Sequence, residues 1–195
     1  MRDELDALLE QVRALDERQG SVAALSALKR SPFEDQALYF AALGTLAARA
    51  GSAHEAIEAF AQACRLEPGS AVAHANHGMA LLDQAAGTLD DEPDQQALDE
   101  ALAALQRAVA LDAGLGYAHA GLGLGYHLLE HLEQAKRCLD RAVEVEPELI
   151  MGWYHRGDLM RALGDLNEAR RCYSQALALD DQCEPARLRL AELSD

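Results

Sequence analysis

The side chains best suited to chemistry in this chain are histidines, cysteines and clustered acids. His74 and His77 stand three residues apart, and His127 and His131 four apart. On a helix either spacing puts two imidazoles on one face, as metal ligation requires. Two ligands make an incomplete site, and neither pair has a third ligand nearby in sequence, so the histidines read as structural or solvated and no metal is expected. Cys64, Cys138, Cys172 and Cys183 form no C-x-x-C pair and no zinc-like spacing. Cys138 and Cys172 lie 34 residues apart and read as two small residues at matching positions rather than as a thiol pair. The acid pairs Asp90–Asp91 and Asp99–Glu100 flank Pro93, where a solvated loop, or a rim for a basic partner, outweighs a calcium site. Gly121, Gly123 and Gly125 fall inside a helical stretch, which removes a phosphate-cradling loop, and no Ser, His and Asp set has a nucleophile context. Neither catalytic residues nor a cofactor is expected.

The elements that must carry these residues are helices. Half of the 195 residues are hydrophobic but only 5% are aromatic, and alanine and leucine, the strongest apolar helix formers, dominate. Seventeen Lys and Arg face 33 Asp and Glu, a formal charge of −16. That balance argues against nucleic acid and against anionic membrane surfaces as partners, since both are held by basic groups. It keeps the chain soluble and, on a sharper reading, suits a basic partner. No apolar run approaches the roughly 20 residues that span a bilayer. The opening MRDELDALLEQVRALDERQG is charged throughout, without an apolar signal core, and the cysteine usage suits a reduced cytoplasm.

A fixed period runs along the chain. Gly44, Gly78, Gly123 and Gly157 are spaced by 34, 45 and 34 residues. Ala56, Ala101, Ala135 and Ala169 follow at 45, 34 and 34, and Ala63, Ala108, Ala142 and Ala176 repeat that series. Every interval is 34 or 34 plus 11, and the extra residues lie between Gly78 and Ala101, in AAGTLDDEPDQQALDE. Small residues recur because a helical hairpin closes only where side chains are small. Gly51 and Gly164 supply turns between helices, Pro68 and Pro147 stop second helices, and Ser52 with Glu55 has capping-box spacing, with Asp165 and Glu168 a weaker version.

This pattern resembles the tetratricopeptide repeat, W-x2-L-G-x2-Y, A-x3-F, A, P. Phe40, Leu43, Gly44, Ala56, Phe60, Ala63 and Pro68 carry the likeness in the first repeat, and Leu122, Gly123, Tyr126, Ala135, Leu139, Ala142 and Pro147 in the third. Trp153, Gly157, Met160, Ala169, Tyr173 and Ala176 carry it in the fourth, with Asp181 where proline is usual; the second keeps Gly78, Leu81, Ala101, Leu105 and Ala108 but has His74 and His77 at large-apolar positions. The resemblance implies an all-α, right-handed helical-hairpin solenoid, a superhelix with capping helices at both ends. Its expected parts are a cap or degenerate repeat over 1–36, repeats over 37–70, 71–115 (with the insertion), 116–149 and 150–183, and a solvating cap helix over 184–195. The apolar face Leu5, Leu8, Leu9, Val12 and Leu15 offers, as an alternative use, a homodimer seam.

The resemblance also implies a function: a non-catalytic scaffold or adaptor that binds a peptide or helix of another protein in a concave groove lined by first helices. The implied groove residues are Arg49, Asn76, Met79, Leu82, Asp83, Tyr117, Leu124, His127, Leu128, Met151, Tyr154, Asp158 and Arg161, an apolar floor ringed by charges. The alternatives are a cytoplasmic chaperone for a secreted or exported client, and a regulatory subunit of an enzyme. The five-residue clamp with which some relatives grip a chaperone's terminal carboxylate corresponds to Ala41, Thr45, Asn76, Tyr117 and Gly121; only Asn76 matches, so that grip is not expected.

Overall fold

The computed structural model describes residues 2–30, 36–86 and 94–193, and among them every regular element is a helix. Pro93 and the acid pair Asp90–Asp91 lie outside the described residues. The chain forms two compact units, residues 1–104 and 105–195. The first contains α1 (Arg2–Gln19), α2 (Ser21–Leu28), α3 (Ala37–Arg49), α4 (Ala53–Leu66) and α5 (Ala71–Ala85), and the division falls within α6 (Gln95–Leu111). The second continues with α7 (Gly116–Leu128), α8 (Leu132–Val145), α9 (Ile150–Ala162), α10 (Leu166–Leu179) and α11 (Glu184–Glu192).

Within each unit, helices pack on their neighbours in chain order: α1 on α2, α2 on α3, α3 on α4 and α4 on α5, then α7 on α8, α8 on α9, α9 on α10 and α10 on α11. In the second unit α7 also touches α9, so successive first helices lie side by side. The periodic glycines close the hairpins. A Cβ on Gly44 would come within 2.7 Å of the Phe60 ring, one on Gly123 within 2.4 Å of Leu139, and one on Gly157 within 2.6 Å of the Tyr173 ring. Each glycine thus admits the large residue of the second helix that fills the core beside it.

The hairpin turns also repeat. Gly51 and Gly164 take φ of 78° and 81°, and their N–H groups and those of the next residues bond back to the preceding helix. Glu130 stands at the matching point before α8 with φ of 58° and the same pair of bonds, to His127 and Tyr126. A side chain there bears the steric cost that glycine avoids.

Helix starts differ from expectation. Ser52 makes no side-chain cap bond, whereas Asp165 accepts from the Glu168 N–H at 3.0 Å. The two residues share nearly the same backbone angles (φ −93°, ψ 70° and φ −82°, ψ 75°), and from that conformation only the longer carboxylate reaches. Ser70, more extended at ψ 105°, does cap α5 by accepting from Ala73 at 3.3 Å. The acids that would complete the boxes are used elsewhere: Glu55 pairs with Lys29 at 2.5 Å, and Glu168 with Arg156 at 2.7 Å.

The α1 stripe is a correction. Leu5 and Val12 are buried in the chain's own core with Leu25, Leu28, Tyr39 and Leu46, and Leu8 and Leu9 pack against that core. The face read as a homodimer seam is occupied from within, because α2 and the start of the repeats supply the apolar surface it needs.

Candidate functional site

One stripe of each first helix faces outward. Along α5, Val72, Asn76, Met79 and Asp83 recur at helical spacing; Val72 is 56% exposed and Asp83 is open to solvent. Along α3 the residues 34 earlier are Leu38, Ala42, Thr45 and Arg49, and Leu38 is 45% exposed. Two expected floor residues are not there. Leu82 is 1% exposed and Met79 9%, so both belong to the buried interior. Leu82 sits about 80° around the helix from Val72, at 100° per residue, which turns it toward the packed side. Met79 is on the stripe, but its flexible thioether chain folds down into the unit.

Charges on these stripes are mostly committed. Arg49 donates to Asp16, the buried charged residue among those described, and Ser21 Oγ donates to the other Asp16 oxygen at 2.7 Å. These bonds tie α1, α2 and α3 together beside a cavity of ≈ 310 Å³ lined by Leu9, Arg13, Asp16, Thr45 and Arg49. Asp83 differs: the protein beneath it pushes its carboxyl above the ordinary range by desolvation alone, without an opposing cation or hydrogen bond.

The second unit has a hub at Asp158. Tyr173 donates its hydroxyl to Asp158 Oδ1 at 2.7 Å, and Arg189 Nε and Arg161 Nε lie 3.4 and 3.8 Å from the same oxygen. Tyr154 lies beside this hub, with its ring 6.1 Å from that of Tyr173. Burial, then the Asp158 charge, pushes the Tyr154 phenol up. Burial pulls His155 down to about 4, and pulls His127 below its usual value against the opposing pull of Asp158. Both imidazoles are therefore neutral at pH 7. The expected residues Tyr117, Leu124, His127, Leu128, Met151, Tyr154 and Asp158 are half-buried here, and Arg161 is exposed.

The sequence reading missed the contribution of α11. Tyr154 with Pro185, Leu188, Arg189 and Glu192 lines a cavity of ≈ 310 Å³, and Leu188 is 56% exposed at its edge. The signal was available, since Leu188 follows Tyr154 by the 34-residue period.

The remaining reactive side chains have structural tasks. His74 Nε2 sits 3.2 Å from the Pro68 carbonyl, His119 Nε2 3.1 Å from that of Ala113, and Trp153 Nε1 donates to Pro147 at 2.8 Å. The three rings occupy one repeat position, each binding a carbonyl six residues back, so the histidines replace the tryptophan as loop anchors. Among the described residues no three His, Cys, Asp or Glu come together as metal ligands. All four cysteines are free thiols, and burial pushes those of Cys64, Cys138 and Cys172 up, away from the reactive thiolate. Arg156 lies 2.9 Å from the Cys172 sulfur and bridges Asp140 and Glu168 at 2.8 and 2.7 Å, joining α8, α9 and α10.

Stacked hairpins closed by a periodic glycine contact, with an outward stripe on each first helix, define a helical-hairpin repeat protein. The family is specific: residues 117–149 and 150–183 each match the tetratricopeptide repeat, so the second unit carries two such repeats. It is 41% identical over 58 residues to the TPR repeat-containing protein PA0015 of Pseudomonas aeruginosa, which covers 30% of this chain and 55% of that one. It is 35% identical over 86 residues to Hsc70-interacting protein 1 of Drosophila melanogaster, covering 44% of this chain and 23% of that protein. The fold is that of TTC0263, a thermophilic TPR protein in Thermus thermophilus, with a TM-score of 0.81, 22% identity, and 97% and 98% of the two chains covered. Tetratricopeptide repeats mediate protein–protein interaction, and such scaffolds are generally non-catalytic. No helix among the described residues is long and apolar enough to cross a membrane.

Proposed function

We propose that this chain is a non-catalytic adaptor that holds an apolar segment of another protein, as a helix or extended peptide, on the first-helix face of its second unit. The observation that supports it is Leu188, left 56% exposed at the edge of the Tyr154 cavity while the polar groups around it are held in place by Asp158. An exposed leucine beside a preformed cavity, on a frame of bonded charges, is the anatomy of an interaction site. Four free thiols suit a reducing compartment such as the cytoplasm. Leu188→Glu is the cleaner probe, because Leu188 is exposed whereas the Tyr154 ring packs beside the buried Tyr173 ring. Affinity capture with the wild type and with Leu188→Glu, both checked by circular dichroism, tests the reading. A partner retained by the first and lost from the second is the expected result, and equal retention would refute binding at this face.

A further inference from the structure

We infer that the first unit carries a second contact, on the outward stripe of α5, which takes a partner segment bearing a lysine or arginine next to an aliphatic residue. It rests on the adaptor reading above and adds the chemistry of the partner. The charges on the outward stripes differ in how they are satisfied. Arg49 is bound by Asp16, and Asp158 by Tyr173 and Arg189, whereas Asp83 has no bonded or ion-paired side chain among the described residues. Val72 lies three turns before Asp83 on the same stripe and is 56% exposed, with Asn76 between them. A carboxylate that is partly desolvated without compensation is unfavourable in the free protein, and an incoming cation would relieve it.

The charge along this part of the sequence has the matching sign. No Lys or Arg occurs between Arg65 and Arg107, a stretch that contains eight Asp and Glu. Residues 1–104 hold 18 acidic and 7 basic residues, against 15 and 10 in residues 105–195, so the first unit carries most of the net negative charge. The field therefore draws a cation in, and Val72 offers the apolar footing that favours an amphipathic segment over a free ion.

The test uses the full chain and an 18-residue amphipathic helix of leucine and lysine, with its leucine–glutamate counterpart, followed by fluorescence anisotropy. The lysine peptide should bind and the glutamate peptide should not. Asp83→Asn should weaken the lysine peptide about fivefold, the range of one partly exposed ion pair, and Val72→Ser should also weaken it. Because Asp83 has no partner among the described residues to lose, Asp83→Asn should melt no lower than the wild type. Asp99→Asn, an equal loss of charge on α6, should leave affinity nearly unchanged. Equal losses from Asp83→Asn and Asp99→Asn would mean general attraction and overturn the site, as would no loss from Asp83→Asn. If Leu188→Glu abolishes peptide binding and Asp83→Asn does not, the α5 contact is refuted while the adaptor function stands.

Discussion

Glu130 in its conformation and His155 in its ionisation both depart from what their residue types prefer. Glu130 takes the left-handed turn conformation that Gly51 and Gly164 fill elsewhere. Glu130→Gly should stabilise the protein by about 1 kcal/mol, the usual cost of such a φ for a side chain less the entropy cost of glycine. Thermal unfolding should show this as a rise of about 2–4 °C. His155 has the opposite character: burial lowers its folded pKa to about 4 from 6.5. The folded state excludes a proton that the unfolded chain accepts, so its full stability is present above 6.5 and is lost as pH falls from 6.5 toward 4. The loss from this group is on the order of 3 kcal/mol. Denaturant melts between pH 7 and 4 should show the decline, and His155→Gln should flatten it.

At the scale of the helix pair, stability depends on the glycine-to-aromatic contact. Gly157→Ala places a Cβ within 2.6 Å of the Tyr173 ring, which is packed at 0% exposure and holds Asp158 through its hydroxyl. The ring must shift, at a cost of about 1–3 kcal/mol for overpacking. The same shift disturbs the hub that positions Arg189, so urea unfolding should show the destabilisation. A variant that unfolds like the wild type would show that α9 and α10 can separate without penalty. This contact was legible in the sequence, because its two partners recur at a fixed offset. The missing cap at Ser52 was not, because capping-box spacing does not record ψ.

For the whole molecule, the dominant property is its charge of −16. Self-repulsion of like charges opposes the compact state and is screened by salt, with a Debye length of about 10 Å at 0.1 M. Raising sodium chloride from low to moderate concentration should therefore raise the melting temperature. A fall would mean that the ion pairs among α8, α9 and α10 contribute more than the repulsion removes. The asymmetry of charge between residues 1–104 and 105–195 also sets apart two unlike surfaces: the α5 stripe ending on Asp83, and an apolar cavity on α9 and α11 whose charges are already paired.

The sequence alone determined the repeat, its 34-residue period, the place of the insertion and the glycines that let each hairpin close. These features are local and recurrent, since every hairpin meets its neighbour through the same few positions, and a period is visible wherever a contact is repeated. Tertiary structure decided which outward positions are open and which charges are free. Met79 shares the register of residues that stay at the surface, yet its flexible chain folds inward, and Leu82 lies about 80° around the helix on the packed side. Arg49, Asp158 and Arg161 look like groove charges in one dimension and are ion-paired in three. Whether a carboxylate keeps a vacancy for a partner depends on what other helices bring to it, which no single segment records.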